Sequence, residues 1–355
     1  MTRTEKFALA IPEEVGAAIV TGQFNRRYLT GFNSSAGVLI VTRKGSTFII
    51  DSRYYESACA TVKDCEVILE EDAFNQIADT LKKYGATTAA LESGVCTLKL
   101  RNALREKLQG IILLEDDRAT DALIRMRACK SSDEIEKMRA AQKITDKAFE
   151  HILSFVKPGM SERQIALELE VFGRNNGAEA AAFSFIVGVG STSSRPHAVP
   201  GNEQVTAGEL LLMDFGFKFD GYCSDMTRTV AVGHVTDEQR EVYQTVLQAA
   251  QSAIAAIKPG VPCKEVDAAA RNIIDSSPYK GLFGHGLGHS LGLEVHEDPR
   301  FNKITDDFLE PGMVLTVEPG IYLPGKFGVR IEDIIALTEN GYDNLTSSPK
   351  ELIVL

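Results

Sequence analysis

The 355-residue chain lacks most of the features that announce a compartment or a charged partner. Its six cysteines, at 59, 65, 96, 129, 223 and 263, include no C-x-x-C pair. That scatter argues against a disulfide framework and reads as reduced thiols serving as small core residues. No stretch approaches the ~20 apolar residues that a membrane-crossing helix needs. The opening "MTRTEKFALAIPEEVG" has no apolar core of signal-peptide length, so the expectation is a cytoplasmic protein with no membrane partner. Basic residues are in the minority, 38 Lys and Arg against 49 Asp and Glu, for a formal charge of −11. A nucleic-acid partner needs a basic face, so none is expected. "GVGSTSS" at 188 has the glycines of a phosphate loop but not its Gly-Lys-Ser/Thr ending. Histidine is scarce too: six in all, none before His151.

What is present is an ordinary globular composition, 44% apolar and 25% charged, in a chain long enough for about two domains. Residues 1–127 read as a smaller α/β domain. "AGVLIV" and "STFIID" flank the turn-like "TRKG" and predict a hairpin. "FNQIADTLKKYG" predicts an amphipathic helix closed by Gly85, and "TLKLRNALREKLQG" another closed by Gly110. A second domain, 128–355, opens where Ser131 and Glu134 form a capping box. Ile135, Met138, Ile144, Ala148, Ile152 and Phe155 follow at roughly helical spacing. Lys157-Pro158-Gly159 stops that helix, and Ser161 starts the next, which Gly177 ends.

The second domain then repeats itself. "VKPGMSERQI" at 156 returns as "IKPGVPCKEV" at 257, and "AGELLLMDFGFKFDGYCSDMTRTV" at 207 returns as "PGMVLTVEPGIYLPGKFGVRIEDII" at 311. Each copy runs helix, helix, acid-bearing strand, glycine turn, acid-bearing strand. The expectation is two α+β halves about a pseudo-twofold axis, their strands forming one curved antiparallel sheet with helices on its outer face. Asp214 and Asp225 in the first copy match Glu318 and Glu332 in the second. A carboxylate ending a buried apolar strand costs several kcal/mol unless something neutralises it. Four of them at one axis call for cations.

"GHGLGHSLGLEVHEDP", residues 284–299, holds three of the six histidines. It is not the helical His-Glu-x-x-His of zinc proteases. Gly286 stands where that motif has glutamate, and each glycine would cost a helix ~1 kcal/mol. The histidines therefore sit on extended or turning backbone. Four carboxylates balance two divalent ions, and His289 adds one neutral nitrogen. Such oxygen-dominated ligation suits Mn²⁺, Co²⁺, Fe²⁺ or Zn²⁺ in a dinuclear hydrolytic site better than a structural zinc site. His151 and His234 read as surface or packing residues.

The segments "LLLMDFGFKFDGYCSDMTRT", "GHGLGHSLGLEVHEDP", "MVLTVEPGIY" and "GVRIEDI" resemble the proline-specific metallopeptidases of the pita-bread fold, the Xaa-Pro aminopeptidases and Xaa-Pro dipeptidases (prolidases). "DSRYYESA" is similar to the creatinase-type N-terminal domain of that group. The resemblance implies a pita-bread catalytic domain behind a smaller α/β domain. It implies two divalent ions, Mn²⁺ foremost, with Asp214 on one, His289 and Glu318 on the other, and Asp225 and Glu332 bridging. It assigns His197 to binding substrate and stabilising the tetrahedral intermediate, His296 to contacting substrate near the scissile bond, His285 to the site wall, Glu318 to proton transfer and Arg330 to orienting the ligands. The implied reaction is hydrolysis of the Xaa-Pro bond of short peptides by a hydroxide bridging the metals, in a homodimer. The competing readings are an inactive pita-bread peptide-binding module and a non-peptidase dinuclear hydrolase such as a phosphoesterase. The latter should place more Lys or Arg near the site than Arg228 and Arg330.

Overall fold

In the computed structural model, which describes residues 1–355, the chain divides into two units, Met1–Arg127 and Ala128–Leu355. The first carries α1 (Arg3–Ala10), β1 (Ala17–Val20), α2 (Gln23–Thr30), β2 (Val38–Thr42), β3 (Gly45–Ile50), α3 (Tyr55–Thr61) and β4 (Glu66–Leu69). It continues through α4 (Ala73–Tyr84), β5 (Thr88–Leu91), α5 (Leu98–Lys107), β6 (Ile112–Leu114) and α6 (Arg118–Ala128). Its mixed sheet has the order β4-β3-β2-β1-β5-β6. The expected hairpin is β2–β3, with Val41 opposite Ser46. Gly85 closes α4 in the left-handed conformation, its N–H on the Leu81 and Lys82 carbonyls, as expected of a C-terminal glycine. α5 departs from expectation. It ends at Lys107 because Leu108 leaves the helix to bury its side chain, and Gly110 (φ 80°) belongs to the turn beyond.

The second unit shows the repeat directly. Its first half holds α7 (Ser132–Phe155), α8 (Glu162–Asn175), β7 (Ala180–Ala181), β8 (Ile186–Val189), a 3-10 turn (Gly190–Ser194), β9 (Leu210–Phe215), β10 (Phe217–Phe219), β11 (Tyr222–Cys223) and β12 (Met226–Ala231). The second half holds α9 (Asp237–Ala256), α10 (Cys263–Asp275), β13 (Gly288–Ser290), β14 (Glu297–Phe301), β15 (Val314–Val317), β16 (Gly320–Leu323), β17 (Phe327–Arg330), β18 (Asp333–Thr338) and β19 (Gly341–Asn344). Capping boxes at Ser131/Glu134, Ser161/Gln164 and Thr236/Gln239 start α7, α8 and α9, each satisfying amides that a helix leaves unpaired. Met138, Ile144, Ala148 and Ile152 of α7 are buried, while Ile135 and Phe155 are half-buried.

β9 pairs antiparallel with β12, and β15 with β18. These ladders extend to the orders β12-β9-β8 and β14-β13-β15-β18-β19. The surface expected as one sheet is divided among four ladders, the others being β11-β10-β7 and β16-β17, and a hydroxyl links β12 to β17. Arg330 N–H donates to Thr229 Oγ1 (3.2 Å), which donates to the Arg330 carbonyl (3.0 Å). One backbone bond crosses there, Glu332 N to the Thr227 carbonyl at 3.1 Å. Phe149, Ile165, Phe215 and Phe217 lie in the core of the first half; Val246, Val266, Leu315 and Val329 lie in that of the second.

Alternation along β12 turns Thr227 and Arg228 to opposite faces. The Arg228 side chain is 1% exposed and pairs with Asp333 at 2.7 Å. Its remaining donors reach the carbonyls of Thr227, Glu332, Ser348 and Pro349 at 2.6–3.0 Å. The cysteines correct a sequence expectation: Cys223 and Cys263 are buried, Cys59 is exposed and the rest are half-buried, all as free thiols. No helix is long and apolar enough to cross a membrane.

Candidate metal centre

The repeat places its acids at equivalent strand ends. Asp214 is the penultimate residue of β9, and Glu318 directly follows β15. Asp225 directly precedes β12, and Glu332 directly precedes β18. β13 brings in His289, beside a register shift between His289 and Ser290. Gly288 is required there, because a Cβ would overlap the Thr316 carbonyl oxygen. That close approach lets His289 N–H reach Thr316 Oγ1 at 3.1 Å.

All five side chains line one cavity of about 550 Å³. Asp214, Asp225 and Glu332 are 8%, 4% and 2% exposed. One ligand-type atom from each of Asp225, His289 and Glu332 lies within 4.8 Å of the others. His289 Nε2 is 3.5 Å from Glu318 Oε1 and 3.7 Å from Asp225 Oδ2. His289 Nδ1 meets the Ser290 carbonyl at 3.0 Å. A carbonyl only accepts, so Nδ1 bears the proton and Nε2 turns a lone pair toward the acids. Burial and the neighbouring His296 hold the His289 pKa down to about 3, so the ring is neutral, as a metal ligand must be.

The carboxylates are left without enough partners. Asp214 Oδ1 and Asp225 Oδ1 are buried with no hydrogen-bond partner. Burial, then repulsion by Glu332, Asp214 and Glu318, raises the Asp225 pKa well above its ordinary value. Burial and the repulsion of Glu318 and Asp214 raise Glu332 likewise. Glu318 is pushed up to about 8, chiefly by burial. Protein dipoles leave these groups under-compensated, and divalent cations would remove that deficit. The donor set, four carboxylates and one neutral imidazole, fits divalent ions that accept oxygen and nitrogen.

Arg330 is the guanidinium among the acids. It donates to Asp214 Oδ2 (2.6 Å), Tyr322 Oη (2.7 Å), Thr227 Oγ1 (2.9 Å) and the Pro196 carbonyl (3.3 Å). Thr227 passes the contact on, donating to Glu332 Oε2 at 2.7 Å. Sequence reasoning missed Thr227, Tyr322 and Thr316. Two-residue alternation could have found Thr227 from Asp225 and Thr316 from Glu318; Tyr322 carries no such signal.

The outer histidines divide by environment. His285 has both ring nitrogens engaged, Nδ1 with the Gly286 carbonyl (2.8 Å) and Nε2 with Tyr322 Oη (3.0 Å). Burial and nearby Arg330 lower its pKa to about 4. His285 therefore offers a ligand its ring and not a free nitrogen. His296 is exposed toward the cavity with its ring edge against His289, centroids 4.4 Å apart. His197 is exposed on the cavity wall, on the loop after the 3-10 turn. His151 stacks on Phe172 (4.3 Å) and meets Glu168 (2.6 Å), and His234 is exposed; neither lines the cavity. Phe183, Phe185, Ile186, Val295 and Phe301 supply an apolar wall. The arrangement joins a floor of buried carboxylates and one neutral imidazole to an apolar slot with two accessible imidazoles at its rim.

Residues 136–339 match metallopeptidase family M24, and residues 12–129 match the Creatinase/Prolidase N-terminal domain. The chain is 36% identical over 345 residues to an Xaa-Pro dipeptidase of Pyrococcus horikoshii, covering 96% of this chain and 95% of the relative. A solved structure of an Xaa-Pro dipeptidase from Bacillus anthracis superposes with a TM-score of 0.96 at 38% identity, covering 99% of each chain. An X-Pro aminopeptidase from Thermotoga maritima superposes at 0.91 and 34% identity, covering 99% of this chain and 100% of that one.

Proposed function

The chain belongs to metallopeptidase family M24 with a creatinase/prolidase-type N-terminal domain, and on that premise we propose that it hydrolyses the amide bond between an N-terminal residue and a following proline. The observation that carries the site is the convergence of Asp214, Asp225, His289, Glu318 and Glu332 on one cavity with two orphaned carboxylate oxygens. These five residues would hold two divalent ions, Mn²⁺ foremost, with Co²⁺, Fe²⁺ or Zn²⁺ as alternatives. Bound there, the ions supply Lewis acidity that polarises a carbonyl and makes water nucleophilic near neutral pH.

The chain's own groups do the rest. Arg330 holds Asp214 in place and steadies Glu332 through Thr227. Glu318 takes its hydrogen bond from Thr316 on Oε1 (3.4 Å), which leaves Oε2 to carry a proton to the proline nitrogen. His296 and His197, at the rim, are placed to donate to the substrate carbonyl as charge develops on it. The apolar wall suits a pyrrolidine ring, which brings no N–H to be satisfied. The reading includes a homodimer in the cytoplasm.

We take the substrate to be a dipeptide, on the strength of Arg300. Of the two cavity-lining cations, Arg330 is consumed by four acceptors, whereas Arg300 contacts only the exposed Asp298, at 3.5 Å. A free carboxylate after proline would complete it. Arg300→Met is expected to raise KM for Ala-Pro about tenfold or more with a smaller change in kcat. An unchanged KM would remove Arg300 from the carboxylate site. With Mn²⁺ and then Co²⁺ added to metal-free protein, Ala-Pro is expected to be hydrolysed and Ala-Pro-Ala spared. Equal cleavage of the tripeptide marks an aminopeptidase instead, and hydrolysis of neither refutes the activity. The phosphoesterase reading loses support because Arg228 faces away, and the inactive-module reading because every donor is in place.

A further inference from the structure

The loop that carries His197 belongs to no sheet, so something else must fix it. Between β8 and β9 the chain makes the 3-10 turn Gly190–Ser194 and then runs free of regular structure to β9. Upstream of His197 the anchors are on β17. Ser193 Oγ accepts from Gly328 N–H at 2.8 Å, and Arg330 grips the Pro196 carbonyl at 3.3 Å. Downstream, the loop lies against the N-terminus of α8. Glu162 N–H donates to the Glu203 carbonyl (3.1 Å), and Arg163 N–H to that of Gly201 (3.2 Å). The Arg163 guanidinium reaches the Pro200 carbonyl at 3.3 Å and Asn202 Oδ1 at 3.4 Å.

The Glu162 side chain joins these two sets of anchors. It is 1% exposed, although a first-turn glutamate usually sits in water. Oε2 accepts from Gly201 N–H at 2.7 Å. Oε1 accepts from Val189 N–H at 2.9 Å and from the Thr192 hydroxyl. One carboxylate thus holds the segment at its start, in its turn and at its far end. Burying a charge costs several kcal/mol, and three donors together with the positive helix end offset that cost. An apolar side chain would fill the space more cheaply but could not fix where residues 189 and 201 sit relative to each other.

We propose that Glu162 is a positioning residue for His197, its carboxylate tying both ends of the segment Val189–Gly201 to α8 and so setting where the imidazole meets the substrate. The claim rests on the reading that His197 contacts the peptide. Glu162→Gln is the informative change, because the new amide N–H must face Gly201 N–H or Val189 N–H, donor against donor.

The experiment is a double-mutant cycle with Ala-Pro under saturating Mn²⁺, using Glu162→Gln, His197→Ala and the double variant. Glu162→Gln is expected to lower kcat/KM about tenfold, mostly in kcat, since small misplacements of a catalytic group are costly. In the His197→Ala background the same change is expected to cost less than about twofold. A fold loss equal in both backgrounds makes Glu162 merely structural and overturns the proposal, as does full activity in Glu162→Gln alone. If His197→Ala keeps wild-type kcat/KM, the His197 assignment itself falls, and the positioning claim with it. Should Glu162→Gln fail to fold, Thr192→Val, which removes one donor, takes its place in the cycle. It is expected to lose about threefold with His197 present and nothing without it; equal losses again overturn the proposal.

Discussion

Asp225→Asn is expected to abolish turnover and the metal-dependent rise in Tm together, while leaving the metal-free protein at least as stable as wild type. In wild-type protein without metal, Asp225 sits buried among Asp214, Glu318 and Glu332, with one oxygen unpartnered. Removing one repelling carboxylate relieves that strain, so the metal-free Tm should hold or rise. Binding at about 1,000 times Kd stabilises wild type by about 4 kcal/mol, or roughly 10 °C for a domain of this size. The variant should gain less than about 2 °C under the same titration. Its kcat/KM for Ala-Pro should fall at least about a thousandfold, since the loss removes the ions' contribution to the transition state. Wild-type turnover with an undiminished metal response would refute the ligand assignment.

Arg228→Met is expected to do the reverse, lowering Tm by roughly 10 °C while kcat/KM at 25 °C stays within about threefold. The guanidinium and Asp333 are both 1% exposed, and its other contacts are main-chain carbonyls of β12, Glu332 and the segment Ser348–Pro349. Breaking a buried pair from one side costs about 3–5 kcal/mol because the remaining charge stays in the interior. Asp333 keeps Lys350 at 2.7 Å and Asn344 at 2.6 Å, which puts the loss toward the lower end. Thermal unfolding with metal present measures the first effect and Ala-Pro kinetics the second. A Tm within about 2 °C of wild type contradicts the assignment of Arg228 to the scaffold.

Four of the five convergent side chains were legible because each places a charge at the end of an apolar strand, where burial makes it conspicuous. The capping boxes and the β2–β3 hairpin were legible because their signals are local. Arg228 was not separable from Arg330 by type, and only the strand pleat assigns one to the scaffold and the other to the site. Thr227 and Tyr322 were hidden because a hydroxyl is at home in core or surface, and its partner is settled by folding. Glu162 stood in the sequence as a first-turn glutamate, since its partners lie 27 to 39 positions away. The division of one expected sheet into four ladders was likewise invisible, because between β12 and β17 a side-chain hydroxyl replaces backbone pairing.

The hydrogen bonds that lead away from Arg330 share one sense. A guanidinium can only donate. The Gly286 carbonyl only accepts, so the single hydrogen of neutral His285 lies on Nδ1, and the Tyr322 phenol, which receives from Nη1, gives its hydrogen to Nε2 of that ring. On the other branch, Thr227 receives from Nε and gives to Glu332 Oε2 at 2.7 Å. The string therefore has a direction, outward from one cation along both arms. Nε2 of His285 and Oε2 of Glu332 are thus the receivers at the two ends of the string, and neither is left to donate to a ligand in the cavity.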